Sequence, residues 1–184
     1  MRLHGKLNIP RSQSFNDESE EKSLFREMRK NRQILAFEKI VAVMDRCTNG
    51  VLACLGDKDY PYAVPLNYVY FNGKIYFHSA KAGHKMDAMT KNTKVSFAVI
   101  DEDTIVSEEY TSYFRSVIVF GKARIVEGDE RLSAFTALVE KYSGDQPEEA
   151  KHKEITGCGR AIIIAIDVEH ITGKESIHFI ETKG

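Results

Sequence analysis

Apolar and polar residues alternate along most of the chain, which predicts several short strands and a few amphipathic helices. Strands are predicted over 51–55, 62–71, 74–79, 95–100, 111–127 and 161–171, with a weaker one at 177–180. Asn72-Gly73, between the second and third of these strands, is typical of a hairpin turn. Gly121 lies inside the longest strand and predicts a bulge there, as the closing of a barrel requires.

Apolar residues at helical spacing predict the other elements. Helices are expected over 33–46, 82–91 and 129–142, with Asp129 as the N-cap of the last. Residues 101–103 read as an acidic connection, and 143–159 as a charged connection with a short helix. About six mostly antiparallel strands with peripheral helices predict a mainly β protein, built as a small closed barrel. A doubly wound sheet would need a regular alternation of strands and helices.

Composition limits the class of protein further. The 184 residues are 42% hydrophobic and 29% charged, as in an ordinary soluble domain, and the net charge of -1 argues against a nucleic-acid binder. Residues 1–24 are polar and are expected to form a flexible arm, which leaves 25–184 as a single domain. No apolar stretch could span a membrane, and the N-terminus lacks the apolar core of a signal peptide. We expect a cytoplasmic protein.

The clearest candidate for chemistry is the segment from Tyr76 to Lys85, where a strand runs directly into a helix. Backbone N–H groups at a helix start favour an anion. Ser79 adds a hydroxyl donor, Lys85 a fixed charge and His84 a further donor, while Gly83 allows close approach of a ligand. The segment is therefore a candidate phosphate site, although a plain helix cap beside a solvated lysine fits the same residues.

Two further segments could touch a ligand. Pro65 interrupts the strand 62–71, so that point should lie at a sheet edge or bulge, where a flat heterocycle could bind or where proline merely protects the edge. Arg115 and Ser116 lie in an aromatic strand start, and Arg115 could hold a phosphate or carboxylate with two donors. A salt bridge from Arg115 to an acidic residue of 101–109 is the alternative.

Other chemistries find little support in the sequence. There is no GxGxxG after a strand, no P-loop and no GxSxG elbow. The three cysteines, Cys47, Cys54 and Cys158, form no close pair, so neither a disulfide framework nor a zinc knuckle is predicted. The histidines are scattered, and no ligand set for a metal is expected.

Taken in chain order, the segments described above resemble the FMN-binding split-barrel superfamily of the pyridoxamine 5'-phosphate oxidase type, and within it the Nim-type 5-nitroimidazole resistance proteins. The resemblance covers about residues 25–175 and rests on five strings. They are 60–68 (YPYAVPLNY), 75–80 (IYFHSA), 83–85 (GHK), 113–121 (YFRSVIVFG) and 171–174 (ITGK).

The resemblance implies a six-stranded antiparallel split barrel that forms a homodimer, with FMN, or FAD, at the subunit interface. It places Val64, Pro65, Leu66 and Asn67 along the flavin ring system. It places Ser79, His84 and Lys85 near the phosphate, and Arg115 and Ser116 beside the cofactor. It places His78 at the flavin and substrate pocket, which makes this residue the candidate catalytic group. Pyridoxamine phosphate oxidases carry an arginine on the strand that matches Ala63 and Val64; because that strand is uncharged here, pyridoxamine phosphate is a poor substrate candidate.

Two functions compete on this basis. The first is a flavin-dependent reductase of nitroreductase type, in which His78 donates a proton or contacts a small-molecule substrate. The second is a flavin-binding module without efficient turnover, or a haem-binding relative that uses His78 as an axial ligand.

Overall fold

A seven-stranded antiparallel sheet forms the centre of the protein. The structure, a computed structural model, describes residues 25–157 and 162–181; the predicted N-terminal arm and Cys158 lie outside them. In chain order the strands are β1 (Asn49–Leu55), β2 (Pro61–Asn67), β3 (Val69–Phe71), β4 (Lys74–Ser79), β5 (Lys94–Val106), β6 (Thr111–Val126) and β7 (Ile162–Glu175). They are hydrogen-bonded in the order β2-β1-β5-β6-β7-β4-β3, so the prediction of a mainly β, antiparallel protein is confirmed.

The two edge strands of this sheet are consecutive in the chain. Only Tyr68 separates β2 from β3, so the sheet must curl until its two edges meet, although the ladder itself stays open. At this point the Tyr142 hydroxyl accepts a hydrogen bond from Tyr68 N (2.9 Å) and lies 2.7 Å from Tyr68 O. The Tyr142 side chain thus satisfies the backbone N–H and C=O of Tyr68, the residue at which the chain passes from one sheet edge to the other.

Five α-helices of the described residues lie around the sheet. They are α1 (Phe37–Arg46), α2 (His84–Lys91), α3 (Gly128–Ser143), α4 (Glu148–Gly157) and α5 (His178–Glu181). The barrel interior is the main core, in which Tyr68, Phe77 and Phe97 are fully buried. A second core forms where α3 packs Phe135 and Leu138 against the β3–β4 hairpin. None of the helices in the described ranges is long and apolar enough to cross a membrane.

Several local predictions were wrong. Residues 62–71 form two strands rather than one, which gives seven strands instead of about six. The acidic residues 101–103 belong to β5, because Glu102 and Asp103 pair with Arg115 and Phe114 of β6, and the charge of Asp101 is balanced by Arg46 and Arg115. The expected strand at 177–180 is α5. Asp129 lies inside α3, whose N-cap is Glu127.

The bulge predicted at Gly121 is confirmed. The register between β6 and β7 shifts between Phe120 and Gly121. A Cβ built on Gly121 would lie 2.3 Å from the carbonyl oxygen of Asp167, so only glycine fits the bulged strand here. The bend lets β6 contribute residues both to the core under α1 and to the core under α3.

Candidate functional site

The connection from β4 to α2 has the geometry of an anion site. Ser79, the last residue of β4, is buried, and Gly83 precedes α2 with φ +124° and ψ 168°. This left-handed backbone favours glycine, and no atom lies within 4 Å of a Cβ built there. Met86 N and Asp87 N bond to Gly83 O (2.8 and 3.0 Å), and the N–H groups before them have no partner inside the helix.

Lys85 supplies a cation at the same helix start. Its side chain is half-buried, and its Nζ lies 5.5 Å from the centroid of the Phe77 ring. Burial lowers the pKa of Lys85, and no carboxylate of the described residues lies close enough to oppose that effect. A half-buried ammonium without a counter-ion fits the phosphate of a nucleotide, which would supply the missing negative charge.

His84 is turned away from this cation. Its ring stacks on Tyr62 with centroids 4.1 Å apart, and its Nε2 lies 3.4 Å from the backbone N of Asp57 and 3.7 Å from that residue's Oδ2. Because Nε2 faces Asp57, only Nδ1 is left to donate a hydrogen bond to a phosphate.

Strand β2 presents its four predicted ligands on two faces. Val64 and Leu66 pack against the barrel core, whereas Pro65 and Asn67 are exposed. The strand pairs with β1 alone, as the proline predicted for an edge. An edge strand keeps backbone polar groups outside the ladder, so a flat heterocycle could bond to them.

His78 lies close to Asn67 across the meeting point of the sheet edges. Both residues line a cavity of about 510 Å³ whose other wall is formed by α3 and α4. The His78 side chain is exposed on β4, opposite in direction to the buried Phe77 and Ser79. The structure therefore brings together the candidate catalytic histidine and the end of the predicted flavin strand.

Arg115 makes the salt bridge that the sequence left as the alternative. Its Nε donates to Glu175 (2.9 Å) and its Nη1 to Asp101 (3.1 Å). Both carboxylates are almost fully buried, with 3% and 6% of their side chains exposed. Burial would raise the pKa of Asp101, but hydrogen bonds from Arg46 and Arg115 outweigh it and lower that pKa. Ser116 is half-buried in β6, where it pairs with Ile100 and Lys174.

The two predicted groups of ligands are far apart within one chain. Thr93 O, just after α2, accepts a hydrogen bond from Ala123 N (2.8 Å). Arg115 lies eight residues earlier on β6, about 26 Å away along the strand. Arg115 is held by Glu175 and Asp101, and none of the contacts described for Arg115 or Ser116 reaches the β4–α2 connection of their own chain.

Sequence reasoning missed the helical wall of the cavity. Phe135, Leu138 and Tyr142 on α3 face this space together with Lys151 on α4. Their helical spacing was visible in the sequence and indicated core packing. That α4 folds back beside them depends on long-range contacts, which no local pattern reports.

Comparison with known proteins places the fold in a family. Residues 37–175 match the family described as pyridoxamine 5'-phosphate oxidase. A candidate 5-nitroimidazole antibiotic resistance protein from Bacteroides thetaiotaomicron superposes with a TM-score of 0.64 and is 20% identical; the match covers 77% of this chain and 86% of that one. No curated protein matches the sequence.

Two other solved structures share the fold. A FAD-binding protein from Mesorhizobium loti is 23% identical, with a TM-score of 0.53 and coverage of 78% of this chain and 97% of that one. A FAD and haem binding protein from Mycobacterium smegmatis is 16% identical, with a TM-score of 0.63 and coverage of 83% and 80%. Such identities show the fold alone, and that fold is of the predicted split-barrel type. Because the family match spans most of the chain, the protein belongs to the pyridoxamine 5'-phosphate oxidase family and has a Nim-like protein among its structural relatives.

Proposed function

We propose that the protein is a cytoplasmic flavoprotein that binds FMN, or the corresponding part of FAD, and acts as an oxidoreductase of nitroreductase type. The observation that carries this proposal is Lys85, a half-buried cation without a carboxylate partner among the described residues, at the start of α2. Two solved structures with this fold are named as FAD-binding proteins, which supports a flavin as the ligand.

The phosphate is assigned to the β4–α2 connection. Lys85 balances its charge, and the N–H groups at the start of α2 donate hydrogen bonds to it. Gly83 lets the backbone approach closely, since no side chain occupies the space beside it. Ser79, and His84 through Nδ1, are the further donors that this proposal includes.

The ring system is assigned to the free edge of β2. Val64 and Leu66 hold that strand against the core, while Pro65 and Asn67 face outward. A bound flavin supplies the electron or hydride transfer of the reaction. His78, exposed at the mouth of the cavity, donates a proton from its imidazole to the substrate. Helices α3 and α4 form the wall of the cavity that faces this histidine.

The proposal includes a homodimer, because one chain does not bring all the predicted ligands together. The outer face of β5 and β6 exposes Ile100, Ile118 and Phe120, with 67%, 38% and 39% of each residue accessible. Neighbouring apolar residues on a sheet face favour burial against a second copy. A two-fold axis through this face would carry Arg115 and Ser116 towards the anion site of the partner subunit.

An absorption spectrum of the purified protein, followed by titration with FMN and FAD, tests this function. We expect flavin bands, saturable binding, bleaching of those bands by NADH or NADPH, and their return when a 5-nitroimidazole is added and consumed. A flavin that stays oxidised with every donor would leave a binding module without turnover. A Soret band would instead support the haem-binding alternative, which agrees with the name of the Mycobacterium smegmatis relative.

A further inference from the structure

The imidazole of His84, the first residue of α2, is held by the hairpin between β1 and β2. Its ring stacks on that of Tyr62, with centroids 4.1 Å apart and ring planes inclined by 24°. Tyr62 is half-buried in β2 and packs against the barrel core, so it gives the imidazole a fixed wall. Gly56 makes room for the ring, because a Cβ built there would lie 3.0 Å from Nε2 of His84. The hairpin therefore fixes the position of this side chain.

The turn of this hairpin has a strained backbone that α2 holds in place. Lys58 (φ 55°, ψ 32°) and Asp59 (φ 63°) both lie in the left-handed region, which favours glycine or asparagine. Two contacts join the turn to α2. Lys91 Nζ bonds to Asp57 Oδ1 over 3.2 Å, and His84 meets the backbone of Asp57. The turn and the start of the helix are therefore fixed relative to each other.

The backbone of Asp57 sets which nitrogen of His84 carries the proton. Asp57 N donates to Nε2 over 3.4 Å, which requires a lone pair on Nε2, so the neutral ring carries its proton on Nδ1. The Asp57 carboxylate competes less well, because its Oδ2 lies 3.7 Å from Nε2 and its other oxygen is bonded to Lys91. Nδ1 has no partner among the described residues, so its N–H is available to a ligand at the start of α2.

We propose that Tyr62 and the backbone N–H of Asp57 are positioning groups that keep His84 in the tautomer with its proton on Nδ1 and direct that proton to the bound phosphate. The inference rests on the proposed function, because the phosphate is assigned to the connection that ends at His84. A donor that is already fixed loses little conformational freedom on binding, so it raises the affinity for the phosphate group in particular. Lys85 supplies charge to the phosphate, and His84 supplies a hydrogen bond of fixed direction.

Nitrogen-15 NMR of the flavin-free protein, labelled in its histidines, tests the tautomer. At pH 8 a free imidazole is uncharged, and its commoner tautomer carries the proton on Nε2. We expect Nδ1–H at His84, whereas the exposed His152 should behave as free histidine. Asp57→Asn keeps the backbone N–H and should keep this tautomer, as should Tyr62→Phe, but Tyr62→Leu should return His84 towards the mixture of free histidine. Nε2–H at His84 in the unsubstituted protein, or loss of Nδ1–H in Asp57→Asn, would overturn the proposal.

Titration with FMN and with riboflavin, which lacks the phosphate, tests the consequence for binding. His84→Phe keeps a ring against Tyr62 but has no donor, so the preference for FMN over riboflavin should fall about fivefold, the scale of one hydrogen bond. Tyr62→Leu should lower this preference by a similar factor, and Tyr62→Phe should leave it within about twofold. Tyr62→Leu added to His84→Phe should lower the preference no further, because both substitutions remove the same hydrogen bond.

The outcomes of this titration separate positioning from a structural role. Equal loss of affinity for both ligands in Tyr62→Leu, or additive losses of preference in the double variant, would make Tyr62 a structural residue only and would overturn the proposal. A failure of the flavin proposal would be seen separately, in the unsubstituted protein. Absence of an FMN preference there would refute the phosphate site, and with it the role of Nδ1, whichever tautomer the NMR spectrum shows.

Discussion

Lys85 lies in the first turn of α2 and Arg115 in β6, and the sequence offered both as ligands of one flavin cofactor. Arg115 exposes 20% of its side chain and is hydrogen-bonded to two nearly buried carboxylates. Lys85 is also half-buried, but among the described residues its ammonium lies over the ring of Phe77 and near Cys54, with no carboxylate close to it. The pKa of Arg115 is raised, because its carboxylates outweigh the effect of burial, whereas burial lowers the pKa of Lys85.

This difference separates a cation that holds the fold from one that is available to a ligand. Arg115 has its negative charge within the chain and joins β5, β6 and β7. Lys85 lacks such a charge, so a bound anion would remove an energetic cost that the free protein bears. If Arg115 also touches a cofactor, it does so as a member of a network that already fixes its guanidinium.

The largest expected effect is on folding. Arg115→Met should lower the free energy of unfolding by about 3 kcal/mol, because it leaves two buried carboxylates with one cation each. Those remaining cations are Lys39 for Glu175 and Arg46 for Asp101. Arg115→Lys should recover part of the loss. Urea denaturation measures both, and a change below about 0.5 kcal/mol for Arg115→Met would remove the distinction drawn here.

Lys85→Ala should affect the ligand rather than the fold. We expect FMN affinity to fall by about 1.5–3 kcal/mol, the scale of a charge-assisted hydrogen bond. Stability should change little, since the ammonium has no carboxylate partner among the described residues. Lys81→Ala, an exposed neighbour, is the control and should bind FMN nearly as well. An unchanged affinity in Lys85→Ala would return Lys85 to the role of a solvated helix residue.

A second ion-pair cluster extends the comparison to pH. Hydrogen bonds from Arg124 lower the pKa of Glu130 to about 2. A depressed carboxyl pKa stabilises the fold above its ordinary value near 4.5, and that contribution is lost as the pH falls towards 2. Because the cluster is partly exposed, we expect about 1 kcal/mol. Glu130→Gln should lower stability at neutral pH and flatten the loss between pH 5 and 2; parallel curves for both proteins would contradict this.

His78→Ala should have the smallest effect on binding. The side chain is exposed at the cavity and apart from Lys85, so FMN affinity should stay within about twofold while turnover falls. Steady-state rates with a nitroaromatic substrate, measured beside an FMN titration, check both parts. A large loss of affinity with unchanged turnover per bound flavin would move His78 from catalysis to cofactor binding.

The positions of most strands along the chain and the β3–β4 hairpin were predictable, because period-two patterning and the Asn72-Gly73 turn are local signals. The change of strand partner at Tyr68 was not predictable, since nothing in the neighbouring sequence indicates it. Residues 101–103 look like a loop until Arg46 and Arg115 are known to pair with Asp101. The short α5 contains β-branched and aromatic residues, and tertiary context overrides that preference.

The site shows the same division between local and long-range information. Gly83, His84 and Lys85 follow a strand in the sequence, so the candidate anion site was visible there. The partners of Arg115 lie 14 and 60 residues away, and one partner of Lys151, Glu140, lies on another helix, so none of these pairs could be assigned from spacing. Sequence spacing thus indicates which cations are candidate ligands. The fold shows that Arg115 has carboxylate partners within the chain, whereas Lys85 has none among the described residues.

Binding of FMN and riboflavin to the unsubstituted protein and to Lys85→Ala tests the central claim most directly. The two ligands differ only in the phosphate, so the pair of proteins and the pair of ligands form a double-mutant cycle. We predict that the unsubstituted protein prefers FMN by about tenfold or more and that Lys85→Ala loses most of this preference. Equal preference in both proteins would show that the phosphate lies elsewhere and would contradict the account.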